Sequence, residues 1–276
     1  MQNQIIHRKP PHPDQVAGEN ETLRAQLSPT ETQGLFFMRE RFLLPAGRSV
    51  SLGERGQVTL SVAEGEIILC APDWVEHRIV QQGDVLHLPQ MEQFVYENRT
   101  SRPARIVELV FSPDPAQSFS HVLAEEGRFL SVLTDIVGIK LSGKETGGAY
   151  VLMMWSVPPG GGPGLHTQSG QETFYIVQGQ FRFRGLSAEQ EAYELSAEPG
   201  DILHVPSRVF HAYRNSGSET GTMLVLTAPA GLTEQFFEQL GSPVANALAF
   251  PQHVTVPHPE TLAALLQHYQ VDFFLE

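Results

Sequence analysis

The sequence predicts an all-β protein, two tandem β-barrels with a few peripheral helices. Three observations carry that prediction. The 276-residue chain repeats itself, half against half. Its β-branched and apolar runs are short and bounded by turn residues, as in sandwiches and barrels. Its 24 Gly and 20 Pro suit a chain of many turns, because both residues are costly inside helices.

The repeat is dense. Glu31-Thr32-Gln33-Gly34 begins a strand-like run that ends at Leu44-Pro45-Ala46-Gly47, and 114 residues later Glu145-Thr146-Gly147-Gly148 begins one that ends at Pro158-Pro159-Gly160-Gly161. The same offset carries Gly65 onto Gly179. A three-residue insertion then raises it to 117, and Gly83-Asp84-Val85-Leu86-His87-Leu88-Pro89 aligns with Gly200-Asp201-Ile202-Leu203-His204-Val205-Pro206. Tyr96 and Asn98 align with Tyr213 and Asn215. A duplicated domain accounts for this pattern.

Taken in order, residues 1–30 are polar and Pro-containing and read as an N-terminal arm laid along another surface. Residues 31–112 read as the first barrel, with Gln57-Val58-Thr59-Leu60-Ser61-Val62 as one of its strands. Residues 113–144 read as a helical linker, on the helical signal from Pro115 to Glu126. Residues 145–230 read as the second barrel, with Thr222-Met223-Leu224-Val225-Leu226-Thr227 among its strands. Residues 231–276 read as a helical extension. One helix runs from Thr233 to Leu240 with Gly241 as C-cap; another runs from Pro259 to Tyr269, where Leu262, Leu265, Leu266 and Tyr269 share a face.

Composition narrows the function. Asp and Glu total 31 against 18 Lys and Arg, a net charge of −13. That excess repels phosphate backbones and anionic lipid, so neither nucleic acid nor membrane is an expected partner. The chain is 41% hydrophobic, enough for a real core. The lone Cys70 cannot form an internal disulfide; in the run Ile67-Ile68-Leu69-Cys70-Ala71 it reads as a small buried strand residue and not a nucleophile. The first residues lack a signal-peptide apolar core, and no run approaches the ~18 apolar residues of a membrane helix. A cytoplasmic protein is the expectation.

The chemistry concentrates in the second half. There the chain reads Gly160-x5-His166-x-Gln168-x3-Glu172-x6-Gly179, then Gly200-x5-Pro206-x4-His211-x3-Asn215. These strings resemble the paired motifs of the cupin superfamily, small antiparallel jelly-roll barrels, whose patterns are G-x5-H-x-H-x3,4-E-x6-G and G-x5-P-x-G-x2-H-x3-N. Two positions depart: Gln168 stands for the second His, and Arg208 for the Gly after Pro. The resemblance covers about residues 31–112 and 145–228 and identifies the chain as a bicupin.

The residues support the same reading. His166 and Gln168, two apart on a strand, share a face. Glu172 follows a short turn, and His211 comes from a distant strand. Two imidazoles and one carboxylate with open positions suit one divalent transition metal, with Fe, Mn, Ni, Co and Zn undistinguished. Gln168 is a weak fourth ligand or a hydrogen-bond partner of a bound molecule. The bland alternative is a hydrogen-bonded polar cluster in an empty pocket. Most of the 11 His are expected on the surface or in loops. His204 recurs as His87 in the half without ligands, so it reads as framework.

By the same offsets His166, Gln168, Glu172 and His211 correspond to Leu52, Glu54, Val58 and Phe94. The first barrel is therefore expected to bind no metal there, with Val58 and Phe94 filling its interior. Alternation from Glu172 and His211 places Phe174, Ile176, Phe181, Phe183 and Tyr213 inward as candidate substrate contacts. Trp155 is expected to close a wall beside Met153. The Gly160–Gly164 loop reads as a strand connection at the barrel mouth.

The C-terminal extension resembles that of quercetin-dioxygenase-like cupins. That resemblance implies a metal-dependent dioxygenase acting on a small enolic or aromatic substrate, with Glu172 as the catalytic proton acceptor. The rivals are a non-redox metal enzyme (hydrolase, decarboxylase or isomerase) and a cupin that binds small molecules without turnover. An oxalate- or sugar-acid-processing bicupin would need cations in the pocket, and Arg208 is the one rim candidate. The chain is expected as a monomer or homodimer.

Overall fold

Short runs of alternating β-branched and aromatic residues, broken by Gly and Pro, pair into antiparallel sheets. The structure, a computed structural model, describes residues 4–9, 21–52, 57–71, 74, 76–88, 93–111, 119–187, 189–254 and 257–274. Two compact units result, Lys9–Glu126, and Met1–Arg8 with Gly127–Glu276.

The chain opens on a short strand, β1 (Ile6–Arg8). The first unit then contains β2 (Glu21–Leu27), β3 (Phe36–Leu43), β4 (Arg48–Leu52), β5 (Gln57–Glu64), β6 (Glu66–Cys70), β7 (Arg78–Gln81), β8 (Val85–Leu88), β9 (Gln93–Glu97), β10 (Ala104–Phe111) and β11 (Ser120–Val122). They form a six-stranded sheet, β11-β8-β5-β10-β3-β2, and a four-stranded sheet, β4-β9-β6-β7. Val58 and Phe94 lie together in the core between them, as expected. The side chains of Leu52 and Glu54 lie outside the described residues. The interior is not purely apolar. Glu108 is fully buried beside Arg41, which reaches it at 2.8 Å, and also takes hydrogen bonds from Arg39 and Tyr96. Cys70 ends β6 half-buried; burial, then the charge of Glu97, pushes its thiol up, which keeps it protonated and unreactive.

The second unit continues with β12 (Arg128–Val132), β13 (Asp135–Leu141), β14 (Val151–Val157), β15 (His166–Thr167), β16 (Gln171–Gln178), β17 (Phe181–Leu186), β18 (Ala192–Ala197), β19 (Ile202–Val205), β20 (His211–Asn215) and β21 (Gly221–Ala228). The extension adds α1 (Thr233–Leu240), β22 (Ser242–Pro243), α2 (Pro259–Tyr269) and β23 (Asp272–Phe273). One sheet runs β1-β19-β16-β21-β14-β13-β12-β22 and the other β18-β17-β20-β15-β23. Both helices predicted in the extension form. Gly241 ends α1 in an extended conformation, with its N–H on the Phe237 carbonyl.

The helical linker expected over 113–144 is corrected. Residues 112–118 lie outside the described residues, and beyond them Ser120–Val122, Arg128–Val132 and Asp135–Leu141 are strands. Pairing overrides the local signal. β11 adds to β8, and β12 and β13 form a hairpin whose turn is helped by Leu133 at φ 53°. The arm is likewise partly strand, because β1 pairs with β19 through Ile6↔His204. β1 and β11 play one role in two units. His7 Nε2 meets Asp201 at 3.0 Å, and His121 Nε2 meets Asp84 at 3.0 Å. The repeat therefore starts well before residue 31.

Other duplicated contacts hold equivalent turns. Asn98 donates to the Leu43 and Arg102 carbonyls, as Asn215 does to those of Val157 and Glu219. His87 pairs with Thr59, and His204 with Thr173, both through Nδ1 at 2.8 Å. That duplication gives His204 a framework role. Among the described residues no helix is long and apolar enough to cross a membrane.

Candidate metal centre

β15 and β20 run antiparallel with His166 directly opposite His211, which sets their ring centroids 4.4 Å apart. Glu172 enters from β16, whose neighbours β19 and β21 hold it through Val205 and Thr227. One ligand atom from each of His166, Glu172 and His211 lies within 4.8 Å of the others. Glu172 and His211 are buried, and His166 is half-buried at the edge of a cavity.

The hydrogen bonds select the tautomer. Nδ1 of His166 meets the Gly164 carbonyl at 3.0 Å, and Nδ1 of His211 meets the Val209 carbonyl at 3.0 Å. A carbonyl only accepts, so both Nδ1 atoms carry the proton and both Nε2 atoms are left for the centre. His211 Nε2 lies 2.9 Å from Glu172 Oε2. With a lone pair on each, the contact needs a proton or a metal cation to bridge it. Burial, then the charge of His211, pushes His166 down to about 4, so it is neutral at pH 7. Burial pushes Glu172 up, but the hydrogen bond and charge of His211, the charge of His166 and the Gln168 amide outweigh it. The carboxyl is held below its ordinary value. A neutral His166 and an ionised Glu172 carboxylate are in the states a divalent metal takes. Gln168 reaches the same cavity, where its buried amide acts on Glu172.

The cavity has a volume of ≈ 60 Å³, within ≈ 580 Å³ of atom-free space that includes its mouth. Its wall is mostly apolar. Trp155 and Tyr213 line it, their rings 5.7 Å apart, and Trp155 also meets Phe237 at 5.4 Å. Phe174, Ile176, Phe181 and Phe183 do not line it and are corrected to core. They point inward as alternation requires, but Ile176 is core and the rings of Phe174, Phe181 and Phe183 pack on one another and on Tyr213. Met153 is core as well. Arg208 lies outside the cavity, tied to Gln270 at 2.7 Å and Asp272 at 3.6 Å. Its φ of 64° shows why the motif has glycine there.

Sequence reasoning missed three parts of the wall. Phe236, Phe237 and Leu240 come from α1. Val271 and Phe273 come from the tail, where β23 pairs with β15 and Phe273 stacks on His166 at 5.5 Å. Asp135 is a second buried carboxyl, 2.7 Å from the Tyr213 hydroxyl and 2.7 Å from the Thr134 hydroxyl. Burial pushes it up to about 6, against the hydrogen bonds of Tyr213, Thr134 and Gly162. The one available signal was a charged residue opening the apolar run Ile136-Val137-Gly138-Ile139. Gly162 in the mouth loop is required by packing: at φ 128° its Cβ would stand 2.1 Å from the Tyr213 carbonyl oxygen.

Comparison with known proteins agrees with this architecture. Residues 153–227 match the cupin domain family. The solved vicilin of Corylus avellana (hazelnut) superposes with TM-score 0.65 at 11% identity, covering 83% of this chain and 87% of that one. Oxalate decarboxylase of Lactobacillus farciminis superposes with TM-score 0.61 at 12% identity, covering 83% and 87%. The chain has the fold of two tandem cupin barrels. Among curated proteins, quercetin 2,3-dioxygenase of Bacillus subtilis (strain 168) is 30% identical over 151 residues. That match spans 54% of this chain and 42% of the relative.

Proposed function

We propose that the second barrel holds one divalent transition metal on His166, Glu172 and His211, and that the chain is a dioxygenase for a small enolic or aromatic substrate. The observation that carries this reading is the pair of imidazoles whose Nδ1 atoms are committed to backbone carbonyls while both Nε2 atoms face one carboxylate. When bound, the metal supplies Lewis acidity and a meeting place for substrate and O2.

The chain's own groups do the rest. Trp155, Tyr213 and Phe237 offer aromatic walls that exclude water and favour a flat apolar substrate. Gln168 aims an amide at the substrate's oxygen. Glu172, held ionised, accepts the substrate's hydroxyl proton on a carboxylate oxygen. No Lys or Arg lines the cavity among the described residues, which disfavours oxalate or sugar acids. The similarity to quercetin 2,3-dioxygenase supports the oxidative reading.

Oxygen uptake tests it. Protein reconstituted separately with Fe, Mn, Ni and Co is offered flavonols, catechols and enolic diketones under air. Stoichiometric O2 consumption that Glu172→Gln abolishes is the expected result. Turnover without O2 uptake points instead to a non-redox metal enzyme, and metal loading without any turnover to a binding protein.

A further inference from the structure

We propose that Asp135 is a substrate-binding residue, whose carboxyl in the wall of this cavity accepts a hydrogen bond from a phenolic hydroxyl of the substrate. The inference rests on the metal-enzyme reading only in taking the cavity as the place where substrate sits.

The geometry is specific. Asp135 opens β13 and is 5% exposed, yet it lines a cavity that is otherwise nearly all hydrocarbon and aromatic ring. One oxygen takes the Tyr213 hydroxyl and the other the Thr134 hydroxyl. A carboxylate offers about four acceptor sites, so capacity is left after these two hydroxyls and the Gly162 N–H. None of the described cationic side chains acts on it. A buried carboxyl without a cation lowers stability, and its raised pKa of about 6 records that cost. An amide or a hydroxyl would hold Tyr213 and Thr134 without it. What the carboxyl adds is a strong acceptor facing the space where a ligand must lie.

The class of ligand follows from the wall. Tyr213 already presents a phenolic hydroxyl to Asp135 at 2.7 Å. Trp155, Tyr213 and Phe237 give the cavity aromatic faces and edges. Asp135 lines the same cavity as His166 and Glu172, so a substrate ring seated there borders both. The substrate class is an aromatic ring bearing a phenolic hydroxyl.

The test compares binding of phenol and anisole by calorimetry. It uses metal-free and zinc-loaded full-length protein, as wild type, Asp135→Asn and Asp135→Leu. Wild type is expected to prefer phenol by about tenfold, the scale of one good hydrogen bond, with zinc or without it. Asp135→Leu should reduce the preference to within about twofold, and Asp135→Asn should reduce it at least about threefold, because a neutral amide oxygen accepts less strongly. Asparagine keeps the shape and both hydroxyl contacts, so it decides the matter if the leucine variant fails to fold. A preference unchanged in both variants overturns the inference. A preference that needs zinc and survives in the variants places the hydroxyl on the metal, which sinks Asp135 and leaves the metal centre standing. A preference lost in the variants of a protein that takes up no zinc keeps Asp135 and sinks the metal centre.

Discussion

Replacing Asp135 by Asn should make the second unit more stable at neutral pH. The wild-type carboxyl has a native pKa of about 6 against 3.8 in the unfolded chain. Between those values the native state holds the extra proton, so wild-type stability falls as pH rises from about 4 to 6 and then levels off. The difference of about two units corresponds to about 3 kcal/mol at most, at 1.36 kcal/mol per unit. The amide of the Asp135→Asn variant carries no charge, so this loss disappears. Its oxygen still accepts from one hydroxyl, and its NH2 donates to the other. Urea unfolding of the metal-free protein, followed by Trp155 fluorescence in a Trp74→Phe background, reads the second unit alone. The variant's gain should be near zero at pH 4 and about 1–3 kcal/mol at pH 7.5. His166, held down at about 4, imposes the opposite slope over the same range. It is common to both proteins and cancels in the difference. A gain that does not change with pH, or a loss above about 1 kcal/mol at pH 7.5, would refute the reasoning.

Three further outcomes follow from the packing. Phe94 is fully buried and packs edge-on against Tyr96 at 5.3 Å. Phe94→Ala should cost the first unit about 3–5 kcal/mol, read by calorimetry, and leave metal content unchanged. His7→Ala removes the partner of the fully buried Asp201 carboxylate and should lower the stability of the second unit by about 1–3 kcal/mol. Deleting residues 1–8 should cost more, because β1 also covers the edge of β19. Equal melting curves for the deletion and the full chain would count against that role for β1.

The parts of this protein visible in its sequence are those fixed by backbone geometry. Gly65 and Gly179, like Gly83 and Gly200, all sit at positive φ, where side chains are strained. Their spacing therefore writes the barrel turns into the chain twice. Asn98 and Asn215 mark another duplicated turn, before β10 and β21, through their side-chain bonds. The His166, Glu172 and His211 cluster was legible because strand alternation and the motif spacing point the same way.

What stayed hidden depends on partners far away in the chain. Asp135 matters through Tyr213, 78 residues on, and its one local mark, a charge at the head of an apolar run, does not name that partner. β1, β11 and β23 are two or three residues long and are strands because they find sheet edges, which propensity does not encode. Alternation gave the inward direction of Phe174, Ile176, Phe181 and Phe183 but not their depth. Whether an inward ring meets a ligand or another ring is decided by how much volume its neighbours leave.

Elemental analysis of protein purified without chelator, then reconstituted, tests the metal centre most directly. Wild type and Phe94→Ala should each carry about one equivalent of a divalent transition metal, while His211→Ala carries less than about a tenth. Wild type below that tenth, or His211→Ala loaded like wild type, would mean that the two imidazoles and the carboxylate of the second barrel serve only one another.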